Sequence, residues 1–221
     1  MGVLQNIQEI RKNIPANVKL VCVSKFHPAE AVLDAYEAGE RIFGESRVQE
    51  LADKQPELPA DIQWHFIGHL QTNKIKYIVP FVALIHGVDS LKVLKEIDRQ
   101  AEKCSRVVPC LLQVHIATEE TKFGFSAGEL VEMLESDEFN QLKHVEIHGL
   151  MGMATLTDDS GQIRKEFNSL KVIQKDIKHR FFADNDSFSE LSMGMSDDYK
   201  IAIEEGSTMI RIGTAIFGNR V

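Results

Sequence analysis

The sequence predicts an α/β protein, a single (β/α)8 barrel of the TIM type with one extra helix at its N-terminus. Three observations carry this expectation. Eight short apolar, β-branched runs alternate along the 221 residues with longer stretches of helical period. Repeated strand–helix units imply a parallel sheet, and eight of them favour closure; a doubly wound open sheet is the structural alternative. Polar and glycine-rich residues fall directly after the runs, which in a parallel barrel converge on one mouth.

Taken in order, a helix over roughly 3–13 precedes the first run, VKLVCVS (18–24), and is expected to pack beneath the barrel. The next helix begins at about Pro28, where proline is acceptable in a first turn. RIF (41–43) leads to a helix from near Glu45, and DIQWHFI (61–67) leads to a third. VALIHGV (82–88) leads to a fourth, with Asp89 or Ser90 as N-cap. VPCLLQVHI (108–116) runs into a loop and then a helix from about Ser126. VEIHGLM (145–151) precedes a long helix from near Asp159 to His179. ELSM (190–193) precedes a helix starting at Ser196 and closed at Gly206, and TMIRI (208–212) is the eighth strand. No repeat, low-complexity tract or linker divides the chain, so residues 1–221 are read as one domain.

Composition narrows the function. A net charge of -8 and a pI near 5.5 argue against nucleic acid or an anionic membrane as the main partner. No run approaches membrane-spanning length, and the start, MGVLQNIQEIRKN, lacks the apolar core of a signal peptide. Three cysteines, Cys22, Cys104 and Cys110, show neither zinc nor disulfide spacing and fit a reducing compartment, so a cytoplasmic protein is expected. A monomer is the expected oligomeric state. His65 and His69 are four apart, but Gly68 interrupts any helix and no third ligand accompanies them, so no metal site is expected. A serine-hydrolase elbow, a Walker motif and a dinucleotide fingerprint are all missing.

Candidate chemistry gathers after the strands. Lys25 ends an apolar run; it is either a lysine reaching out to solvent or a partly desolvated amine suited to attack a carbonyl. Arg211 lies within an apolar strand, where an unpaired charge is costly. It is followed by Gly213 and Thr214, whose backbone could approach a ligand; a structural arginine paired to a carboxylate is the alternative. Ser196 reads as an N-cap with Asp197 and Asp198 in the first turn, a position that could also hold phosphate. The glycines and methionines around 149–153 and 192–195 read as close-packed walls.

The blocks VSK (23–25), FGESRVQE (43–50), WHFIGHLQTNK (64–74), KFGF (122–125), HGLMGMAT (148–155) and SMGMSDDYKIAIEEGSTMIRIGTAIFG (192–218) resemble the pyridoxal phosphate homeostasis protein family, also called the proline synthetase co-transcribed homologue family. The resemblance runs in order from about residue 3 to residue 218. It implies a barrel similar to the N-terminal domain of alanine racemase, with pyridoxal 5′-phosphate as cofactor. Carried onto this chain, it implies a Schiff base on Lys25, phosphate held by Ser196 with the amides of Gly213 and Thr214, and Arg211 facing the pyridine nitrogen. Ser46 and Met193 complete the implied contacts, although the family reads Asn-Tyr where this chain has Ser46-Arg47.

An arginine at the pyridine nitrogen disfavours its protonation, so carbanion chemistry should be poor. Alanine racemase adds a second domain, for which no length is left after the barrel. The resemblance therefore implies a binding protein that sequesters and delivers the cofactor, possible recipients being apo-enzymes that use it. A weak racemase or decarboxylase is the alternative, with His69 or Lys122 as proton donor. A cofactor-independent Schiff-base aldolase on Lys25 is a third.

Overall fold

The computed structural model describes residues 2–119 and 123–218. Eight parallel strands close in sequence order: β1 (Lys19–Val23), β2 (Ile42–Glu45), β3 (Gln63–Phe66), β4 (Leu84–Val88), β5 (Val108–Gln113), β6 (Val145–Met151), β7 (Glu190–Ser192) and β8 (Met209–Ile212). The ring closes where β8 pairs with β1, Val21 opposite Arg211 and Cys22 opposite Ile212. The expected (β/α)8 barrel is therefore the architecture observed, with every strand on its expected run.

The outer ring is formed by α2 (Ala29–Glu37), α3 (Val48–Lys54), α4 (Leu91–Lys103), α5 (Ala127–Glu135), the short α6 (Asp137–Asn140), α7 (Ser160–Phe181), α8 (Tyr199–Glu204) and α9 (Thr214–Phe217). Local chemistry sets several of their starts. Ser126 and Glu129 exchange reciprocal bonds as a capping box on α5, and Asp159 accepts from the amides of Gly161 and Gln162 at the head of α7.

The details differ from the sequence reading in four places. The N-terminal helix α1 (Val3–Lys12) packs against α2 and α9, within the outer ring rather than beneath the barrel. It buries Ile7 and Ile10, and Asn6 donates to the carbonyl of Ile216. Strand β2 runs on through Gly44 and Glu45, paired to His65 and Phe66, so α3 starts at Val48. The expected third helix is a 3₁₀ segment, Thr72–Tyr77. Pro80 has no amide hydrogen to give the carbonyl of Lys76, so the ladder cannot continue there. Finally, residues 196–198 form a turn, and α8 begins only at Tyr199.

Apolar residues divide into two cores. One lies between strands and helices; the other is a layer inside the barrel made by Val21, Leu84, Leu111, Met151 and Met209. Alternation along the strands then fixes what stands above that layer, because residues two apart point to the same side. His65, His86, Ser192 and Arg211 are buried on the interior side, towards the mouth. Below it, Lys19 pairs with Glu190.

Candidate functional site

At the mouth, the ends of β1, β3, β6 and β8 and the turn after β7 surround a cavity of about 250 Å³. Its walls include Lys25, Ser196, Arg211, Gly213 and Thr214, so the structure brings together five of the seven expected site residues. Val23, Ile67, Met153 and Met195 supply apolar surface, and His27 and Asp197 complete the lining.

The other two expected residues do not line it. Met193 is fully buried and belongs to the core outside the barrel: directly after β7 it follows the inward-facing Ser192 and turns its side chain the other way, away from the mouth. Met195, two residues on, takes the position at the cavity. Ser46 is half-buried at the end of β2, with its backbone carbonyl packed where a Cβ on Gly68 would otherwise sit. Of the two expected proton donors, His69 also lies off the cavity: its Nδ1 is 2.9 Å from Asp89 Oδ2 and its ring stacks on Phe123 at 4.0 Å. Lys122 is outside the described residues.

Arg211 forms the floor. It is 4% exposed, and burial pulls its pKa down to about 10, with the nearby charge of Asp198 acting in the opposite direction. No carboxylate pairs with it directly among the described residues. Instead Nη1 donates to Ser192 Oγ at 2.6 Å and Nη2 to the carbonyl of Gly152 at 3.1 Å. Ser192 Oγ is 3.0 Å from His86 Nδ1, and His86 Nε2 is 3.0 Å from His65 Nδ1. Burial holds both imidazoles neutral: His65 falls to about 3, and His86 is driven well below the usual histidine range. A guanidinium only donates, so the favoured polarity has Ser192 donating onward to His86 and His86 Nε2–H to His65. Each dipole then turns its negative end towards the buried cation.

Opposite, the turn carrying Ser196 is tied by Asp198, whose Oδ1 accepts from the amide of Met195 at 2.6 Å. The two aspartates that the sequence placed in a helical first turn thus separate. Asp198 is buried under the turn and burial raises its pKa, whereas Asp197 is exposed at the rim. Gly213 lets β8 pass close to β1, since a Cβ there would meet the carbonyl oxygen of Val23 at 3.2 Å.

Behind β1 and β2, on the side facing α3, lies a buried polar cluster that strand periodicity did not reveal. Glu45 accepts from Ser24 Oγ and from Lys54 Nζ, each at 2.7 Å, on Oε1. Its Oε2 has no hydrogen-bond partner among the described residues. Burial, opposed by Lys54, pushes the Glu45 pKa up to about 7. A carboxyl raised from 4.5 to about 7 on folding binds more protons in the native state, so it favours the fold below about pH 4.5 and progressively less up to about pH 7. Glu45→Gln should therefore gain stability relative to wild type as pH rises through that window, with a slope on the order of 1 kcal/mol per pH unit. Urea unfolding at several pH values reads this, and a difference independent of pH would show that Glu45 titrates normally.

The alternating period also held a signal for the interior chain. His65 and His86 occupy inward positions of adjacent apolar strands, where a polar residue needs a partner. Spacing along one strand and loop had paired His65 with His69 instead.

Comparison with known proteins gives a consistent relationship. The family model described as alanine racemase, N-terminal domain, matches residues 3–221. The chain is 40% identical over 215 residues to the pyridoxal phosphate homeostasis protein of Synechocystis, covering 96% of each. It resembles the structure of PipY from Synechococcus elongatus solved with PLP bound, at 36% identity and a TM-score of 0.89, covering 98% of this chain and 100% of that one. An alanine racemase from Clostridium difficile shares the fold at 15% identity and a TM-score of 0.77, over 99% of this chain and 56% of that one.

Proposed function

The chain belongs to the pyridoxal phosphate homeostasis protein family, and from this we propose that it binds pyridoxal 5′-phosphate through Lys25 and sequesters and delivers it rather than turning over a substrate. The observation that carries the reading is the convergence of a lysine, a buried arginine and a hydroxyl- and glycine-bearing wall on one small cavity. A phosphorylated pyridine aldehyde needs a primary amine, an anion site, a group at the ring nitrogen and apolar faces for the ring. Lys25, then Ser196 with Gly213 and Thr214, then Arg211, then Val23, Ile67, Met153 and Met195 meet those needs in turn.

When bound, the cofactor supplies an aldehyde with which a primary amine condenses, releasing one water. This chain's residues do the rest. Lys25 is the amine, held half-buried on the turn after β1. Arg211, a donor fixed from behind by Ser192 and Gly152, keeps a positive charge on the cavity floor. A cation there opposes protonation of a ring nitrogen, and that weakens electron withdrawal of the kind transaminases and decarboxylases require. The apolar wall excludes water from the ring faces. Ser46, half-buried beyond β2, stays as an expected contact of the family and reaches the ligand through water, whereas Met195 takes the place expected of Met193.

Delivery in place of turnover is further supported by the name that the related proteins carry and by His69 lying off the cavity. Residues 1–221 act as one binding domain, in the cytoplasm and as a monomer, with apo-enzymes as recipients. Two buried thiols, Cys22 and Cys110, suit a reducing compartment, and among the described residues no helix is long and apolar enough to cross a membrane.

The first test is the visible spectrum of the purified protein, followed by borohydride reduction and peptide mapping. A yellow protein whose reduced adduct maps to Lys25 supports the reading. A colourless protein that takes up no added cofactor overturns it. Amino-acid turnover at enzyme-like rates would replace delivery with the racemase or decarboxylase alternative.

A further inference from the structure

Lys54 ends α3, on the outer side of the barrel wall, away from the cavity lining. It is 8% exposed, unusual for a lysine. An ammonium has three hydrogens to donate, and this one has three acceptors: the carbonyl of Ser24 at 3.0 Å, Glu45 Oε1 at 2.7 Å and Glu50 Oε1 at 2.7 Å.

Each acceptor holds the turn that carries Lys25. Ser24 Oγ donates to the same oxygen of Glu45. The amide of Phe26 donates to the same oxygen of Glu50 at 2.6 Å. The Ser24 carbonyl also accepts from the amide of His27 at 3.1 Å. Residues on both sides of Lys25 are thus tied, through one or two bonds, to a single nitrogen. The turn needs holding, because Phe26 sits at φ 66, a left-handed conformation that a large side chain seldom adopts. Arg47 adds a third hold from the same segment, with its guanidinium 4.4 Å from the centre of the Phe26 ring.

A buried ion cluster contributes little net stability compared with apolar packing of the same volume, but its directional bonds fix geometry. We propose that Lys54 is a positioning residue for Lys25, its ammonium locking the Ser24–His27 turn so that the Lys25 amine is presented to the cavity. This rests on the reading of Lys25 as the cofactor anchor. A misplacement of about 1 Å can cost up to 100-fold in a reaction that depends on alignment.

The test separates positioning from general scaffolding with two probes. Pyridoxine 5′-phosphate has an alcohol where the aldehyde would be, so it reports the cavity alone. Pyridoxal 5′-phosphate, followed by the rate of borohydride-fixed adduct formation on Lys25, reports presentation of the amine. In Lys54→Met, affinity for the alcohol should stay within about twofold while adduct formation slows about tenfold or more. Glu50→Ala, at a partly exposed position, removes the hold on the Phe26 amide and one of the three acceptors of Lys54 but leaves the Ser24 and Glu45 holds, and should slow adduct formation less, about threefold, again with the alcohol unaffected. Lys54→Arg should not restore the rate, because a planar fork cannot meet three acceptors arranged about an ammonium.

Unchanged adduct formation in Lys54→Met, or equal loss of both probes in both variants, overturns the proposal. Should Lys54→Met fail to fold, Glu50→Ala decides on the same two readouts. A wild-type protein that binds the alcohol yet forms no adduct on Lys25 overturns the anchor reading itself, and the proposal falls with it.

Discussion

Lys25→Ala should abolish the borohydride-fixed adduct completely while leaving the fold nearly unchanged. Lys25 stands on a turn after β1, half-buried at the cavity and outside both apolar clusters. Removing it deletes the reacting amine while the strands and both apolar clusters keep their packing, so the change in stability should fall well short of that of a core truncation. The anion wall and Arg211 remain, so the variant should still bind the cofactor reversibly, detected as a spectrum of the unattached aldehyde that gel filtration removes. Adduct formation on another lysine in this variant would show that attachment does not depend on the Lys25 position, and would undo the assignment.

Acidification should weaken the fold through the histidines inside the barrel. In the unfolded chain His65 protonates near pH 6.5, whereas in the fold it does so only near pH 3, because burial penalises its charged form. A base depressed in this way contributes stability that is complete above its unfolded pKa and is lost as pH falls towards the folded one. Over the interval from pH 7 to pH 4, His65 alone accounts for a loss of about 3 kcal/mol, at about 1.4 kcal/mol per pH unit below 6.5. His86 is shifted in the same direction and adds to it, while Glu45 acts the other way over part of the interval. His65→Asn isolates the term, since its carbonyl oxygen can still accept from His86. Denaturant unfolding at both pH values should show the variant losing about 3 kcal/mol less than wild type. Equal acid sensitivity in the two proteins would mean that water reaches the imidazoles.

Both predictions concern residues that the sequence exposed to different degrees. Lys25, Arg211, Gly213 and Thr214 stood out because strand ends in a parallel barrel share one mouth, so order along the chain converts directly into proximity. Ser196 was reached through its capping pattern; it lies at the cavity, on a turn that Asp198 ties back before α8 begins. Met193 and Met195 could not be told apart by composition. Which methionine faces the cavity depends on how the backbone leaves β7, and Gly194 at φ 96 sets that exit. The chain from Arg211 through Ser192 and His86 to His65 joins residues up to 146 positions apart, on four strands. Only the register of the closed ring aligns them.

What the sequence determined by itself was local: eight apolar runs, the starts of α5 and α7, and the grouping of reactive residues after the strands. These depend on period and on near neighbours, which are read within a few residues. The tertiary structure decided which side of the wall each polar residue occupies. Lys54 and Glu45 meet Ser24 behind the barrel, whereas Arg211 is held within it, because burial leaves a charged group stable only where distant partners complete its hydrogen bonds.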